Sequence, residues 1–172
     1  MHILTEIYRG EGVNIHGKTI HRTAVRAVIW RGKDLLMVYS AKVGDYKFPG
    51  GGVDAGETHE QTLARELREE CGVSLVRVDG ELGAIVEYNF PTERDFDVFK
   101  MTSHYYFCRI ESGSFNAQKL DGYEEALGFT PVWVDVDIAS QKNRQLLDSR
   151  KPPDWLKREI FALEYLKQNL FK

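Results

Sequence analysis

Cysteine is scarce in this sequence, and no stretch of the chain is apolar over a long range. The 172 residues include two cysteines, Cys71 and Cys108. Two thiols build no disulfide framework, and no Cys or His pair has the spacing of a zinc site, so the sequence fits a reducing compartment. No apolar run approaches the length of a membrane-spanning helix, and the first residues do not resemble a secretion signal. We therefore expect a cytoplasmic protein with no membrane partner.

A strong excess of charge of one sign is also missing. The formal net charge is −3 and the isoelectric point is about 6.0. Proteins that bind a nucleic-acid duplex usually carry a basic surface, so this balance argues against a duplex as the partner. Small phosphorylated molecules stay open as substrates, because they need positive charge only locally.

The rest of the composition is that of an ordinary folded domain. Hydrophobic residues make up 42% of the chain and charged residues 28%, with 5 prolines and 15 glycines. These values argue against disorder, and a chain of this length can bury one large core. We expect a single domain over residues 1–172, with short strands in an N-terminal extension (1–20) and a helix at the C-terminal end (153–171).

Apolar segments between these ends predict strands. Residues 23–30 and 35–39 flank a glycine-containing turn, which predicts an antiparallel hairpin. Further strands are predicted at residues 74–78, 83–90, 99–110 and 130–136, an irregular stretch at 111–128 and a helix at 138–147. This order of elements predicts an α/β layered domain with a mixed sheet.

The most informative stretch is a glycine-rich turn at residues 50–56 that leads into a run of strong helix formers. Glu66, Glu69 and Glu70 stand at i, i+3 and i+4 and so share one helix face. Two like charges about 4 Å apart repel by roughly 4 kcal/mol at the effective dielectric of a protein surface, so the cluster needs a cation or protons. Oxygen ligands suit Mg²⁺ or Mn²⁺. Three glutamates alone are more often a solvated helix face.

The spacing of the stretch decides between these two interpretations. Gly51 is followed after five residues by Glu57 and after seven more by Arg65-Glu66. The remaining defined positions are Leu67, Glu69, Glu70, Gly72 and Val73. At every defined position the segment resembles the signature of the Nudix hydrolases, and Phe48-Pro49-Gly50 ahead of it also resembles the family.

The resemblance implies the α/β/α sandwich of Nudix proteins and a reaction in which water cleaves a pyrophosphate bond. The implied substrate is a nucleoside diphosphate linked to another group, X, and the implied cofactor is Mg²⁺, which Mn²⁺ could replace. The implied metal ligands are the Gly50 carbonyl and the carboxylates of Glu66, Glu69 and Glu70. Either Glu66 or Glu69 could instead be the base that deprotonates the attacking water.

The other signature positions have supporting roles in this interpretation. The resemblance implies that Arg65 forms an ion pair within the site and orients a glutamate, and that Glu57 ties the turn to the helix. Gly51 belongs to the turn. Gly72 is the expected C-terminal stop of the helix, with Cys71 in the last turn.

An acidic pair further along the chain adds another candidate base. Glu124 and Glu125 precede the strand that contains Trp133, and many Nudix enzymes carry an additional acidic residue in a loop before this strand. The resemblance therefore makes either glutamate a candidate base or metal ligand. Two solvated turn residues are the alternative.

The sequence leaves alternatives open for the activity, the substrate and the oligomeric state. A Nudix-fold module that binds a nucleotide derivative without cleaving it is the alternative to an enzyme, although no signature carboxylate is lost here. Nucleoside triphosphates, ADP-sugars and dinucleoside polyphosphates all stay open as substrates. The N-terminal strands could extend the interface of a homodimer.

Overall fold

A computed structural model describes residues 2–113 and 115–171, and these residues form eight strands and four helices. The strands are β1 (Ile3–Tyr8), β2 (Thr19–Val28), β3 (Trp30–Arg31), β4 (Asp34–Ser40), β5 (Asp45–Lys47), β6 (Leu75–Asn89), β7 (Val98–Ile110) and β8 (Phe129–Asp135). The helices are α1 (His59–Cys71), α2 (Gly122–Leu127), α3 (Val136–Leu147) and α4 (Leu156–Asn169).

The strands form two four-stranded sheets. One has the order β1-β6-β7-β2, with parallel pairing at both edges and antiparallel pairing between β6 and β7. The predicted mixed sheet is therefore confirmed. In the other sheet, β4 pairs antiparallel with β3 and β5 along one edge and with β8 along the other.

Alternate residues of β4 show how the layers are stacked. Leu35 and Met37 belong to a buried cluster with residues of α3 and α4, whereas Leu36 and Val38 belong to a second cluster with residues of α1. Successive strand side chains face opposite sides of a sheet, so this sheet lies between α1 on one side and α3 and α4 on the other. Each fully buried aliphatic side chain contributes roughly 1.5–3 kcal/mol, and both faces of β4 gain in this way.

The hairpin predicted from residues 23–30 and 35–39 is wrong over most of its length. Of residues 23–31, only Trp30 and Arg31 pair with β4, whereas β2 runs parallel to β7 in the other sheet. The chain changes sheets at Ile29, whose carbonyl accepts a hydrogen bond from the Leu36 amide at 2.9 Å. The pairing of β2 is set by packing against distant strands, which the adjacent turn does not encode.

β6 is one strand where the sequence predicted two, at residues 74–78 and 83–90. Asp79 and Gly80, between the two predicted strands, form no turn, and the register between β6 and β7 shifts there instead. Arg109 of β7 donates a hydrogen bond to the Asp79 carboxylate at 2.8 Å, across the expected break. Such bulges allow turn-forming residues to stay within a strand.

The stretch 111–128, predicted to be irregular, contains α2. The Asp121 carboxylate accepts hydrogen bonds from the amides of Tyr123 and Glu124, and the Glu124 carboxylate accepts one from the Asp121 amide. Gly128 ends the helix with a φ of 68°. The signature of this capping box was present in the sequence.

The remaining predicted elements are confirmed to within a few residues. β7, β8 and α3 lie at the predicted positions, and α4 lies within the predicted C-terminal helix. β1 is one of the short strands expected in residues 1–20, and no second strand forms between Tyr8 and Thr19. Val13 and Ile15 lie outside any strand and pack against Val86, Tyr88 and Val98. No helix in the described residues is both long and apolar enough to cross a membrane.

Candidate active site

The turn that precedes α1 is bonded to β2 through its backbone. The amides of Val25 and Ala27 donate hydrogen bonds to the carbonyls of Gly51 and Pro49, at 3.0 and 2.8 Å. Gly50, between these two carbonyls, has a φ of 132°, and a β-carbon there would lie 3.0 Å from the carbonyl carbon of Val25. Glycine is the residue that tolerates both this backbone conformation and this close approach.

The glycine turn also lies directly against two glutamates of α1. A β-carbon at Gly51 would lie 2.6 Å from the carboxyl carbon of Glu66, closer than van der Waals contact. The Gly50 amide donates a hydrogen bond to Oε2 of Glu70 at 2.7 Å. Turn and helix are thus fixed to each other at these two carboxylates.

Local signals set the bounds and the orientation of α1. Thr58 and Gln61 form a capping box at its start, and Gly72 caps its end with a φ of 63°. Leu63 and Leu67 are buried in the core cluster that α1 shares with β4. Anchoring by these leucines leaves the Glu66 and Glu70 side of the helix facing the turn.

Three carboxylates meet at this point. One oxygen from each of Glu66, Glu70 and Glu124 lies within 4.8 Å of the other two. Glu66 and Glu70 are 8% and 5% exposed, and Glu124, which α2 contributes, is half-buried. We call these three residues the acidic cluster.

Two of the carboxylates predicted as metal ligands or bases lie outside the acidic cluster. Glu69 is partly exposed, and its nearest cation is Nη1 of Arg65 at 3.4 Å. Glu125 is exposed on α2. The structure therefore separates Glu124 from Glu125, which the sequence could not do.

Burial raises the pKa of all three carboxyl groups in the acidic cluster. The pKa of Glu70 rises to about 8, chiefly through burial and against the hydrogen bond from Gly50. Burial is also the main cause that raises the pKa of Glu66 and that of Glu124. Such a group of carboxylates accepts either protons or a cation. Three converging oxygen ligands are the donor set that Mg²⁺ and Mn²⁺ prefer, so the residues present fit the predicted metal.

Arg65 links the turn to the acidic cluster. Its Nε and Nη2 donate to the two carboxylate oxygens of Glu57, each at 2.9 Å, and Nη1 donates to Glu66 at 2.7 Å. Nη2 also donates to the Gly52 carbonyl at 3.2 Å. The bonds from Arg65 are the largest cause that lowers the pKa of Glu57 to about 2. This fork geometry holds Glu66 and the turn in a fixed relation.

A cleft of about 260 Å³ opens beside the acidic cluster. Glu70, Glu124 and the glycine turn form part of its lining. Five cations and four aromatic side chains form much of the rest, namely Arg9, Arg22, Arg26, Lys47 and Arg158, with Phe48, Tyr123, Phe129 and Trp155. Cations suit phosphate groups and aromatic rings suit a planar base, so the cleft offers what a nucleotide requires.

Two of the cleft cations belong to a buried ion network. Arg158, which is 3% exposed, donates to Glu87 at 2.9 Å and to Glu159 at 2.7 Å. Arg9 pairs with Glu87 as well, and the Phe48 amide donates to Glu159 at 3.0 Å. The network thus ties α4 to the segment that carries the glycine turn.

The sequence interpretation missed the cations of this cleft. Arg26 stands inside the apolar run of β2, and its Nη1 donates a hydrogen bond to the Gly50 carbonyl, a predicted metal ligand. Arg158 stands among buried residues of α4, and Lys47 directly precedes the buried Phe48. Charged residues are rarely buried without a partner, so a charge inside an apolar segment was the available signal.

A larger cavity, of about 390 Å³, lies elsewhere and does not contain the acidic cluster. Trp30, Trp133 and Cys108 are among its lining residues, and it shares none of its lining with the cleft. We therefore place the chemistry in the smaller cleft, where the acidic and basic groups meet.

Comparison with known sequences identifies the family. The sequence profile of the NUDIX domain matches residues 20–156. This chain belongs to the Nudix family. It is 31% identical over 117 residues to the RNA pyrophosphohydrolase of Sulfurovum sp. (strain NBC37-1), an alignment that covers 62% of this chain and 74% of that relative. It is 51% identical over 47 residues to the 8-oxo-dGTP diphosphatase of Haemophilus influenzae, covering 27% of this chain and 33% of that relative.

Solved structures share the Nudix fold with this chain. A NUDIX hydrolase from Nitrosomonas europaea superposes with a TM-score of 0.54 at 19% identity, covering 85% of this chain and 89% of the other. The MutT protein of Bacillus halodurans gives 0.53 at 16% identity, covering 81% and 82%. The predicted mixed α/β fold is confirmed. The family match and the curated relatives also confirm the predicted enzyme class, a Nudix pyrophosphohydrolase.

Proposed function

We propose that this Nudix chain cleaves a pyrophosphate bond in a nucleoside diphosphate linked to another group, X, and that it requires Mg²⁺, which Mn²⁺ can replace. The observation that carries the proposal is the position of the acidic cluster at the edge of a cleft with cationic and aromatic walls. The cluster suits a hard divalent ion, and the walls suit phosphates and a base. The two halves of the substrate and the metal thus have separate places in one site.

The proposed metal ligands are Glu66, Glu70 and the Gly50 carbonyl. A divalent ion held there would neutralise charge that builds on the phosphate oxygens. Arg65 positions Glu66 through the bond at 2.7 Å. Arg26 positions Gly50 through its bond to the carbonyl.

Glu124 is the proposed base for the attacking water. It reaches the acidic cluster from α2, whereas the other two carboxylates come from α1. Burial raises the pKa of Glu124, which brings the group closer to the range in which a base works near neutral pH. Glu69 stays a predicted ligand or base at the outer edge of the cluster, where it lines a second depression with Arg65, Glu66 and Lys119.

A nucleotide panel tests the proposed reaction and its substrate class. The panel contains ATP, 8-oxo-dGTP, a short 5′-triphosphorylated RNA, an ADP-sugar, a UDP-sugar and a dinucleoside tetraphosphate, each with Mg²⁺, with Mn²⁺ and with EDTA. We expect chromatography to show cleavage of at least one compound with either metal and none with EDTA. Undiminished cleavage in EDTA would contradict the metal requirement, and an inert panel would contradict the reaction.

The proposed cytoplasmic location and the proposed homodimer rest on the cysteines and on the edge of β1. Cys71 and Cys108 are both free and buried, which supports a cytoplasmic protein. β1 is the outer strand of its sheet, and no other strand in the described part of the chain pairs with its second edge. An open strand edge supports the proposed homodimer. The molar mass in solution, measured by light scattering, tests it.

A further inference from the structure

The cations of the cleft divide into two groups. Arg9 and Arg158 form ion pairs with Glu87 and Glu159. In residues 2–113 and 115–171, no carboxylate forms an ion pair with any of the other three cations of the cleft. These unpaired cations are Arg22, Arg26 and Lys47.

Two of the unpaired cations lie on one side of β2. Arg22 and Arg26 are separated by Ala24, which also lines the cleft and leaves room between them. Arg22 reaches the turn, since a β-carbon at Gly52 would lie 2.9 Å from its Nη2. Nη1 of Arg26 donates to the Gly50 carbonyl, but the Nε of Arg26 is buried with no hydrogen-bond partner in the described structure. A buried donor without an acceptor is unfavourable, so this N–H favours a ligand with an acceptor oxygen.

Lys47 faces the same cleft from β5. Its ammonium lies 3.6 Å from the centre of the Phe129 ring and 4.9 Å from that of Trp155. Burial lowers the pKa of Lys47. Aromatic rings attract a cation without forming an ion pair with it, so the ammonium is still able to pair with an anion of the substrate.

The pyrophosphate of a nucleotide sugar carries two negative charges, whereas the unpaired cations of the cleft number three, so one positive charge is left for an anionic group on X. We infer that Arg22, Arg26 and Lys47 select substrates whose group X is itself anionic, the chemistry of a 5′-polyphosphate, over nucleotide sugars whose X is neutral. The inference rests on the proposed function and sharpens its substrate class. The 5′-polyphosphate could belong to a free nucleotide or to the end of an RNA.

The test compares substrates that share adenosine but differ in X. Values of kcat/KM are measured with Mg²⁺ for ATP, for a 5′-triphosphorylated RNA that begins with adenosine and for ADP-ribose, whose X is neutral. We expect at least one triphosphate to exceed ADP-ribose by at least about tenfold, and the better of the two identifies the source. Lys47→Gln and Arg22→Gln should each lower kcat/KM for that triphosphate by about tenfold to hundredfold, the effect of losing a hydrogen bond to a charged group, with little change for ADP-ribose.

Arg94→Gln is the matched control, because Arg94 is exposed and does not line the cleft. It should leave all three values unchanged, and thermal unfolding should show that each variant is folded. ADP-ribose cleaved as well as both triphosphates, or variants that slow every substrate equally, would overturn the inference while the proposed function stands.

A binding measurement decides the inference even if the proposed function fails. If no compound is cleaved, dissociation constants of ATP and ADP-ribose are measured by calorimetry in EDTA. Tighter binding of ATP that Lys47→Gln abolishes supports the selection of an anionic X. Equal affinity for the two compounds, or no binding of either, overturns it.

Discussion

Two groups of buried charges lie side by side in this protein, and they differ in balance. Three carboxylates converge in the acidic cluster, and within residues 2–113 and 115–171 only Glu66 among them has an ion pair, with Arg65. In the buried ion network, Arg9 and Arg158 alternate with Glu87 and Glu159. One group has an excess of one sign, and the other is internally paired.

The pKa shifts express the same difference. Burial raises the pKa of Glu70 to about 8, and the hydrogen bond from Gly50 and the charge of Arg26 oppose this rise only in part. Burial alone would lower the pKa of Arg158, yet Glu159 and Glu87 more than compensate and raise it. A paired network fixes geometry, whereas an unpaired group requires a ligand, so an imbalance of buried charge distinguishes a site from a structural ion pair.

The largest expected effect is on turnover when the acidic cluster loses a charge. Glu70→Gln and Glu66→Gln should each lower kcat by about 10²- to 10⁴-fold at saturating Mg²⁺. Stability should change little, because glutamine keeps the size and removes the repulsion. Glu60→Gln, on the exposed side of the same helix, is the control. A variant of the cluster with near-normal kcat would show that its residue has no part in the reaction.

The largest effect on stability should come from the paired network. Arg158→Ala should lower the free energy of unfolding by about 3–5 kcal/mol, because it leaves Glu159 buried without its cation and Glu87 with Arg9 alone. Lys157→Ala, an exposed neighbour on α4, should change it by no more than about 0.5 kcal/mol. Urea denaturation measures both. Equal losses in the two variants would mean that the network contributes nothing specific.

The two glutamates of α2 should differ in turnover. Glu124→Gln should lower kcat by about 10²-fold, the lower end for a general base, because it removes the third carboxylate of the cluster. Glutamine can still complete the capping box, so thermal stability should be preserved. Glu125→Gln should match the unmodified enzyme, since Glu125 is exposed and outside the cluster. If neither variant loses activity, the base must come from α1.

Metal binding at the acidic cluster should stabilise the fold. Mg²⁺ at a hundred times its dissociation constant should raise the free energy of unfolding by about 2.7 kcal/mol relative to EDTA. Glu70→Gln should lose most of this gain, whereas Arg94→Gln should keep it. Denaturation in Mg²⁺ and in EDTA measures the difference. A full gain in Glu70→Gln would place the ion elsewhere.

The smallest expected effect is on the stability of the fold at acidic pH, through the ion pair between Glu57 and Arg65. The pKa of Glu57 is about 2 in the folded chain, below its ordinary value of 4.5, so its bond to Arg65 stabilises the fold above the ordinary pKa. That contribution is lost as the pH falls from about 4.5 to about 2. Glu57→Gln should therefore show a shallower loss of stability over this window in acid titrations. Glu11→Gln, at an exposed position, should follow the unmodified protein.

Local signals explain what the sequence predicted well. α1, its caps and its row of glutamates depend on contacts within about twenty residues, so the signature and the helix periodicity were sufficient. The predicted pairing of β2 was wrong, because the true pairing depends on packing against β7, some 80 residues away. The unpaired cations were missed for the same reason, since β2 and β5 contribute them separately and only the fold brings them together.

The carboxylates of the acidic cluster lie on two helices that differ in length and in how much surface they bury. Glu66 and Glu70 belong to a helix of 13 residues that buries two leucines in the core. Glu124 belongs to a helix of 6 residues that buries no side chain and depends on its caps. Segments with so little buried surface unfold locally at a lower free energy than the whole fold. Amide hydrogen exchange should therefore be faster in α2 than in α1. We therefore expect the site to be complete only while α2 is folded, so that completing the site is a separate event from folding of the core.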